Sequence, residues 1–348
     1  MAERITSAQV AALAGVSQSA VSRVFTPGAS VSKKTAEKVR HAAEQLGYRP
    51  NVLARAMITG RSRIIGLVVA YLENQFYPLA LARLSRSLQE RGYHILVFLA
   101  GNDAAKTAQV VDELLDYQVD AILTASVAMS NDLATRCEAA GIPVVAFNRG
   151  QDDPRLSEVT SDNLAGGRQV AEFLLAGGHR RIAHIAGWQG SSTGRDRAEG
   201  FRAGLAQAEQ EPVAIMDGLY DRAVAAKAAL DLVVRPDRPD AIFVGNDHMA
   251  FAVMDALRFQ AMLRVPEDVS VVGYDDVPMA AWPAYDLTTN RQPLDAMVAA
   301  TVDVLMARIE GDAQPHKIRL AGPLIIRGSA RLPQGTQRSP APSPTGET

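Results

Sequence analysis

Two groups of side chains in this sequence have the type and spacing for recognition chemistry. Near the N-terminus, Gln18, Ser19, Ser22 and Arg23 fall on the outer side of the run QSAVSRV, whose Ala20, Val21 and Val24 lie at helical spacing and face inward. A glutamine amide can pair bidentately with adenine, serine is a permissive reader, and arginine can take guanine or phosphate. Far along the chain, Arg197 offers a forked donor set and Asp275 offers paired acceptors. Together they suit vicinal hydroxyls or the polar edge of a ring. Asn246 follows an apolar run and adds an amide, while Phe76 and Tyr77 on an early loop and Tyr220 on a later one can stack on an apolar ligand face. Asn148, Ser126 and Asp162 sit at the ends of similar runs. For Thr193 and Arg195, ligand contact and a purely structural role stand open together.

Catalytic signatures are missing. The sequence has no GxxxxGK[ST], no HExxH and no GxSxG, and its six histidines are scattered rather than spaced as metal ligands. IAGWQGSSTG is glycine-rich after an apolar run, but it lacks the spaced GxGxxG of a dinucleotide site. No cofactor or metal is implied. An enzyme remains the weaker alternative, since folds of alternating strands and helices host many.

These groups need elements to hold them. At 348 residues the chain exceeds what one core usually fills, and its 47% apolar and 21% charged content is that of a globular protein. One cysteine, Cys137, excludes an intrachain disulfide and fits a reducing cytoplasm. The N-terminus has no basic-then-apolar leader pattern, and no apolar run approaches membrane-spanning length, so no membrane partner is expected. The net charge of −2 conceals a split: residues 1–63 hold ten Lys/Arg against three acids, leaving the remainder acidic. Such polarity suits a head that meets phosphate.

In the head, Thr6 and Gln9 form a capping-box pattern ahead of Val10, Ala11, Leu13 and Ala14, the expected apolar face of a first helix. Gly15 ends it, Val16 pins the turn, and Ser17 caps a second helix. A third starts near Ser32 and carries Ala36, Val39, Ala43 and Leu46 inward, with Gly47 and Pro50 stopping it. Three such helices share one small core, and the second would lie in a major groove. From Ile64 the chain alternates β-branched runs (IIGLVVAY, HILVFLA, DAILTAS, PVVAFN, RIAHIAG, DAIFVGND, VSVVGYDD) with amphipathic helices. Buried apolar strands separated by helices imply parallel sheets covered on both faces, with ligand at the carboxyl ends of the strands.

The string from VAALAGVSQSAVSRV through LARAMITGRSRIIGLV resembles the N-terminus of the LacI/GalR repressor family. The likeness continues through GRDRAEGF, VGNDHMAFAVMDAL, VSVVGYDD, LTTNRQPL and LIIRGS. It implies a small all-α helix-turn-helix head and a two-lobed α/β periplasmic-binding-protein-like (type I) sensor with parallel sheets. By this resemblance Gln18 and Ser19 read bases with Ala20 adjoining, and Thr6, Ser17, Ser22, Ser32, Lys34, Thr35 and Tyr48 match positions that hold the DNA backbone. Gln9 stands where Asp is usual and Ala20 where Thr is usual, so a base or phosphate contact at Ala20 is in doubt. Asn51, Ala54, Arg55 and Met57 fall in the family's hinge helix, which folds only on DNA, with Met57 in place of its minor-groove wedge.

The resemblance further implies residues 1–50 as the DNA-binding domain, 51–62 as hinge and 63–333 as a dimerising sensor. Crossings near 161, 290 and 322 would give lobe one 63–161 plus 291–321, and lobe two 162–290 plus 322–332. Arg149 and Asp276 read better as loop caps or interlobe salt bridges than as ligand contacts. Residues 334–348, rich in Pro, Ser and Thr, are expected to be disordered. They lack the leucine heptads through which some members tetramerise, so a homodimer is expected, on a near-palindromic operator. The expected effector is a carbohydrate or derivative, and the sign of its control is open. A solute-binding protein for transport shares the body, but it needs export and would not carry a basic three-helix head.

Overall fold

The computed structural model describes residues 5–26, 29–49, 60–70, 72–100, 104–127 and 131–340. Asn51, Ala54, Arg55 and Met57 lie outside the described residues. The chain divides into two compact units, Met1–Arg63 and Ile64–Thr348.

Among its described residues the first unit has three helices, α1 (Ser7–Ala14), α2 (Gln18–Val24) and α3 (Lys33–Leu46). Each starts on a side-chain cap. Thr6 and Gln9 complete the reciprocal box, with the Thr6 amide donating to Gln9 Oε1 at 2.8 Å, and Ser17 and Ser32 accept from the amides of Ala20 and Thr35. Gly15 takes φ +64° and lets the chain turn sharply from α1 toward α2, a conformation that costs a residue with a side chain about 1 kcal/mol or more. Val10, Val21 and Val39 are fully buried, each worth roughly 1.5–3 kcal/mol, and Ala11, Ala42 and Ala43 fill the space between them. Leu13 does not join them: it is 51% exposed. On a helix this short the inward stripe is Val10, Ala11 and Ala14, and Leu13 falls to one side of it.

The second unit holds two six-stranded sheets. The first runs β11 (Lys317–Leu320), β5 (Ser157–Ser161), β4 (Val144–Phe147), β3 (Ala121–Ala125), β1 (Ile64–Val69), β2 (His94–Leu99), parallel throughout. The second runs β12 (Leu324–Ile325), β10 (Thr288–Arg291), β9 (Ser270–Asp275), β8 (Ala241–Val244), β6 (Ile182–Ala186), β7 (Ala214–Asp217), with only β12 antiparallel to its neighbour. The chain therefore leaves the first sheet after β5, returns after β10 and leaves again after β11, so each lobe is built from separate stretches of sequence. Helices α4 (Phe76–Glu90), α5 (Ala104–Asp116), α6 (Asn131–Ala139) and α11 (Leu294–Ile309) belong with the first sheet. Helices α7 (Asn163–Ala176), α8 (Ser192–Ala206), α9 (Arg222–Val233) and α10 (Asp247–Phe259) belong with the second.

Apolar periodicity had marked seven of these strands. It did not mark β5 (SEVTS) or β10 (TTNR), which are buried yet polar. Their side chains are tolerated inside because partners meet them: Glu158 pairs with Lys317 Nζ at 3.1 Å, and Thr288 Oγ1 donates to the Arg327 carbonyl at 3.1 Å. Residues 334–340, expected to be disordered, are instead tied to the edge of lobe two. The Ser339 amide donates to the Ile326 carbonyl at 2.8 Å, the Ile326 amide donates to Ser339 Oγ at 2.9 Å, and Arg338 pairs with Asp286 at 3.0 Å. An open edge next to β12 supplies main-chain partners that composition alone does not reveal.

Candidate functional site

Side chains from both lobes converge on one cavity: Asn74, Tyr77 and Asn148 from lobe one, and Thr193, Arg197, Tyr220, Asn246 and Asp275 from lobe two. Each stands at the carboxyl end of a strand or in the loop or first turns beyond it. Tyr77 is in the first turn of α4 after β1, Asn148 follows β4, and Thr193 and Arg197 open α8 after β6. Tyr220 follows β7, Asn246 follows β8, and Asp275 ends β9. Asn246 also caps α10, its Oδ1 accepting from the Met249 amide at 2.9 Å, which leaves its amide nitrogen for the cavity.

The backbone at these strand ends is bent into conformations that side-chain-bearing residues usually avoid. Ser126, Asn148, Tyr220, Asp275 and Asp276 have φ of +64°, +68°, +60°, +127° and +58°. Such residues cost on the order of 1–3 kcal/mol each and persist where the surrounding structure holds them for a purpose. Tyr220 also needs Gly187: a Cβ there would sit 2.1 Å from the tyrosine ring.

Arg197 and Asp275 form the floor. Arg197 is 3% exposed, and its Nη2 stands 3.5 Å from Asp275 Oδ1. Its Nε donates to Asn163 Oδ1 at 2.8 Å, its Nη1 to the Gly245 carbonyl at 2.7 Å, and its guanidinium lies 3.7 Å from the centre of the Tyr274 ring. Gly167 makes this placement attainable, since a Cβ there would be 2.3 Å from the Arg197 carbonyl oxygen. Asp275 accepts from Gln292 Nε2 at 2.7 Å and, across the lobes, from Asn74 Nδ2 at 3.4 Å. Burial raises the Asp275 carboxyl above the ordinary carboxylate value, and Arg197 is the main influence opposing it. Beneath it, wholly buried Asp247 accepts from Thr289 Oγ1 at 2.6 Å and from the Val277 amide at 3.0 Å. Burial first, then the charge of Asp275, pushes the Asp247 carboxyl well up.

Above this floor, Asn148 Nδ2 donates to Tyr77 Oη at 3.0 Å, and the Thr193 and Tyr220 hydroxyls are 3.0 Å apart. The buried Asn148 Oδ1 has no hydrogen-bond partner among the described residues. Hydroxyl pairs, amides and a carboxylate–guanidinium pair around one space provide both donors and acceptors, the requirement for binding a polyhydroxylated molecule. The space open to the centre of a water-sized sphere is about 10 Å³, enough for a single water. A larger ligand therefore requires the lobes to part or the side chains to withdraw.

Three expected contacts stand apart from the cavity. Phe76 is core: its ring stacks on Phe147 with centres 6.2 Å apart and meets Tyr77 edge-on, because α4 starts at Phe76 and the segment is not a loop. Ser126 is buried beside Tyr77 and does not line the cavity. Asp162 caps α7, accepting from the Ala165 amide at 3.0 Å. Arg195 faces Asp152 at 3.5 Å. Asp276 is held by Arg291 and Arg327 at 2.6 and 2.7 Å, both within the second-lobe sheet region, and the Arg149 guanidinium lies 5.4 Å from the Trp188 ring. Sequence reasoning missed Asn74 and Gln292. Asn74 left a signal, since an asparagine just before a helix often accepts from the amide two residues on, as it does here from Phe76 at 3.1 Å.

In the head unit, Gln18, Ser19 and Arg23 are exposed along α2, and Lys34 is exposed at the start of α3. Gln18 Nε2 donates to Ser7 Oγ at 2.8 Å, Ser19 Oγ lies 2.9 Å from Ser17 Oγ, and Arg23 Nε reaches the Ser19 carbonyl at 3.4 Å. Ser32 Oγ and Thr35 Oγ1 are 2.9 Å apart at the α3 N-terminus, Ser22 accepts through its carbonyl from Thr26, and Tyr48 packs on Phe25. Thr6 stays at the exposed end of α1 and Ala20 is half-buried. Among the described residues no helix is long and apolar enough to cross a membrane, and no cluster of His, Cys, Asp and Glu is placed to hold a metal ion.

A helix-turn-helix unit joined to a two-lobed parallel-sheet body with a polar interlobe cavity is the build of a ligand-responsive DNA-binding regulator. Known proteins agree. Residues 8–51 match the model of bacterial regulatory proteins of the lacI family, and residues 171–330 match the periplasmic binding protein-like domain. The chain is 36% identical over 338 residues to the HTH-type transcriptional regulator CelR of Thermobifida fusca, covering 94% of this chain and 98% of that one. A structure of a CelR–cellobiose complex superposes with a TM-score of 0.70 at 33% identity, over 94% of this chain and all of that one. The lac repressor dimer bound to operator and the anti-inducer ONPF superposes with a TM-score of 0.85 at 28% identity, over 94% and 99%. This chain belongs to the LacI family of transcriptional regulators, and its function is to bind DNA and regulate transcription.

Proposed function

We propose that the protein is a cytoplasmic repressor that acts as a homodimer on a near-palindromic operator and is controlled by a carbohydrate bound between its lobes. The observation that carries this reading is the cavity itself, where polar groups of both lobes surround the buried Arg197–Asp275 pair. A sugar hydroxyl there would donate to Asp275 and accept from Arg197 Nη2, while Tyr77 and Tyr220 flank the ring. The cellobiose held by the related CelR is of this class. Because the contacts come from both lobes, a bound sugar favours one lobe arrangement over another, and that difference is what can be passed to the DNA-binding end. Recognition without catalysis is the matching role for a site whose carboxylates are engaged by structural partners.

On the DNA side, Gln18 and Ser19 would read bases, Arg23 would take guanine or phosphate, and Thr6, Ser17, Ser22, Ser32, Lys34, Thr35 and Tyr48 would hold the backbone. Residues 51–62 would be the hinge, with Asn51, Ala54 and Arg55 beside Met57, whose side chain would enter the central minor-groove step. Apolar side chains exposed on the body support self-association: Val97 and Leu99 on edge strand β2, and Phe259, Met262 and Trp282 on lobe two. We favour relief of repression by the sugar. The test is a thermal-shift screen of the full chain against cellobiose, ribose, other mono- and disaccharides, polyols and nucleosides, followed by operator-binding anisotropy with each hit. A sugar that raises the melting temperature and weakens operator binding supports the reading; stabilisation by nucleosides alone would reject it.

A further inference from the structure

The glycines of IAGWQGSSTG seat a tryptophan. Trp188 is half-buried in the loop from β6 to α8. A Cβ on Gly190 would stand 2.2 Å from its ring, and one on Gly194 would stand 2.3 Å from its carbonyl oxygen. That oxygen also accepts from Ser191 Oγ at 2.7 Å and from the Ser191 amide at 3.1 Å. Two glycines and a capping serine thus fix the indole in a place that a side chain at either glycine would deny it.

On lobe one, the loop after β4 is fixed as firmly. Asn148 turns it with φ +68°, the Gln151 amide donates to Glu158 Oε2 at 3.1 Å, and Gln151 Nε2 donates to the Val127 carbonyl at 3.0 Å. The two loops meet across the cleft. Arg149 is 3% exposed, and its guanidinium lies 5.4 Å from the centre of the Trp188 ring. Ser192 Oγ donates to the Gly150 carbonyl at 3.3 Å, and Arg195 faces Asp152 at 3.5 Å. The Asp152 side chain is exposed, so water weakens that pair. The contact of Arg149 with Trp188 is shielded, and a cation over an indole gains most when it is desolvated. Asn148 and Thr193, the chain neighbours of Arg149 and Ser192, line the effector cavity, whereas Arg149 and Trp188 do not.

We infer that Arg149 is a positioning residue of the effector response: seated on Trp188, it holds the two lobes in the closed arrangement around the cavity. The inference rests on the reading that the effector binds between the lobes. The chain passes from one sheet to the other after β5, β10 and β11, so neither loop is itself a crossing. Parting the lobes therefore draws the guanidinium off the indole, and the loss of that contact resists opening whether or not a ligand is present. A contact of this kind shifts the balance of closed and open arrangements by about five- to thirtyfold.

The test uses the full chain without any sugar, so failure of the carbohydrate reading in the thermal-shift screen leaves its outcome untouched. Nitroxide labels on Glu113→Cys in lobe one and Glu209→Cys in lobe two, in a Cys137→Ala background diluted with unlabelled chain, report the interlobe distance by double electron–electron resonance. Arg149→Met and Trp188→Leu should each add a second distance population. The double variant should add no more of it than the larger single effect, and Arg149→Lys should add less than Arg149→Met. Asp152→Ala, which removes only the exposed pair, should add none. Operator affinity measured by anisotropy should change in step with that population, by about fivefold or more. Trp188→Leu alone decides the matter should Arg149→Met not fold. The inference is overturned if one distance population persists in the folded variants, if the double variant equals the sum of the singles, or if operator affinity ignores the populations.

Discussion

Asn74 in lobe one and Asp275 in lobe two meet across the cleft, Nδ2 to Oδ2 at 3.4 Å, directly beside the Arg197 guanidinium. The bond is long, and one of its partners is a charged group whose other oxygen is already taken by Gln292. A ligand entering the cavity must either displace this contact or share it.

Asn74→Ala should therefore act on effector binding more than on the fold. A hydrogen bond to a charged group is worth about 1.5–3 kcal/mol, which corresponds to roughly a tenfold or greater loss of affinity. Calorimetry with the sugar selected by thermal shift would show this loss, and operator affinity without sugar should stay within about twofold. Unchanged sugar affinity would remove Asn74 from the site.

Arg197→Met should cost stability as well as response. It removes the donors to Asn163 and Gly245 and strips the buried Asp275 of its counter-charge. Breaking a buried pair in this way costs about 3–5 kcal/mol. Burial already raises the Asp275 carboxyl above the ordinary carboxylate value and Arg197 opposes that, so without Arg197 it takes up a proton more readily, which holds the loss near the lower end. Urea unfolding would measure it, and a double-mutant cycle with Asp275→Asn would isolate the coupling. Operator binding by the folded variant should persist without effector response.

His184 gives the body an acid-sensitive core. It is fully buried, donates from Nδ1 to the Phe243 carbonyl at 2.9 Å, and stacks on the Phe243 ring with centres 4.4 Å apart. Burial, with Arg202 and Arg197 adding to it, lowers its pKa from 6.5 to about 4. Between these values the unfolded chain binds a proton that the folded chain does not, so stability is present above about pH 6.5 and is lost as pH falls toward 4. The shift corresponds to about 3 kcal/mol. Denaturant midpoints measured across this window should fall with acid, and His184→Phe should flatten the His184 part of the slope.

The sequence made the strands and the floor of the site legible for different reasons. Seven strands showed because a sheet covered on both faces needs continuous β-branched runs, as in AIFV and SVVGYD. Arg197, Asp275, Tyr77, Asn148, Tyr220 and Asn246 could be named because polar residues just beyond such runs fall at the cleft. Strands β5 and β10 stayed hidden because their buried threonines, serines and Glu158 are satisfied by partners far away in sequence. Phe76 and Tyr77 were adjacent candidates with nothing to separate them. Only the start of α4 at Phe76 turns one ring into the core and the other toward the cleft. Leu13 failed similarly, since helical spacing fixes a stripe but not which edge of it meets neighbours.

Gln18 and Lys34 should separate reading from holding. Gln18 Nε2 lies 2.8 Å from Ser7 Oγ, so a base edge would compete with an existing bond, and the amide must gain more from the base than it loses. Gln18→Ala should relax preference at one half-site base pair by about 1–3 kcal/mol while leaving binding to unrelated DNA almost unchanged. Lys34 is exposed at the start of α3, beside the Ser32–Thr35 cap, and its proposed partner is a phosphate. Lys34→Gln should weaken all sequences about equally and lower the log–log salt slope by about 1. Anisotropy with a panel of half-site variants at several salt concentrations would resolve the two. If Gln18→Ala lowered affinity uniformly and left base preference intact, α2 would be docked by its phosphate contacts alone, and the reading of bases would have to come from Ser19 or Arg23.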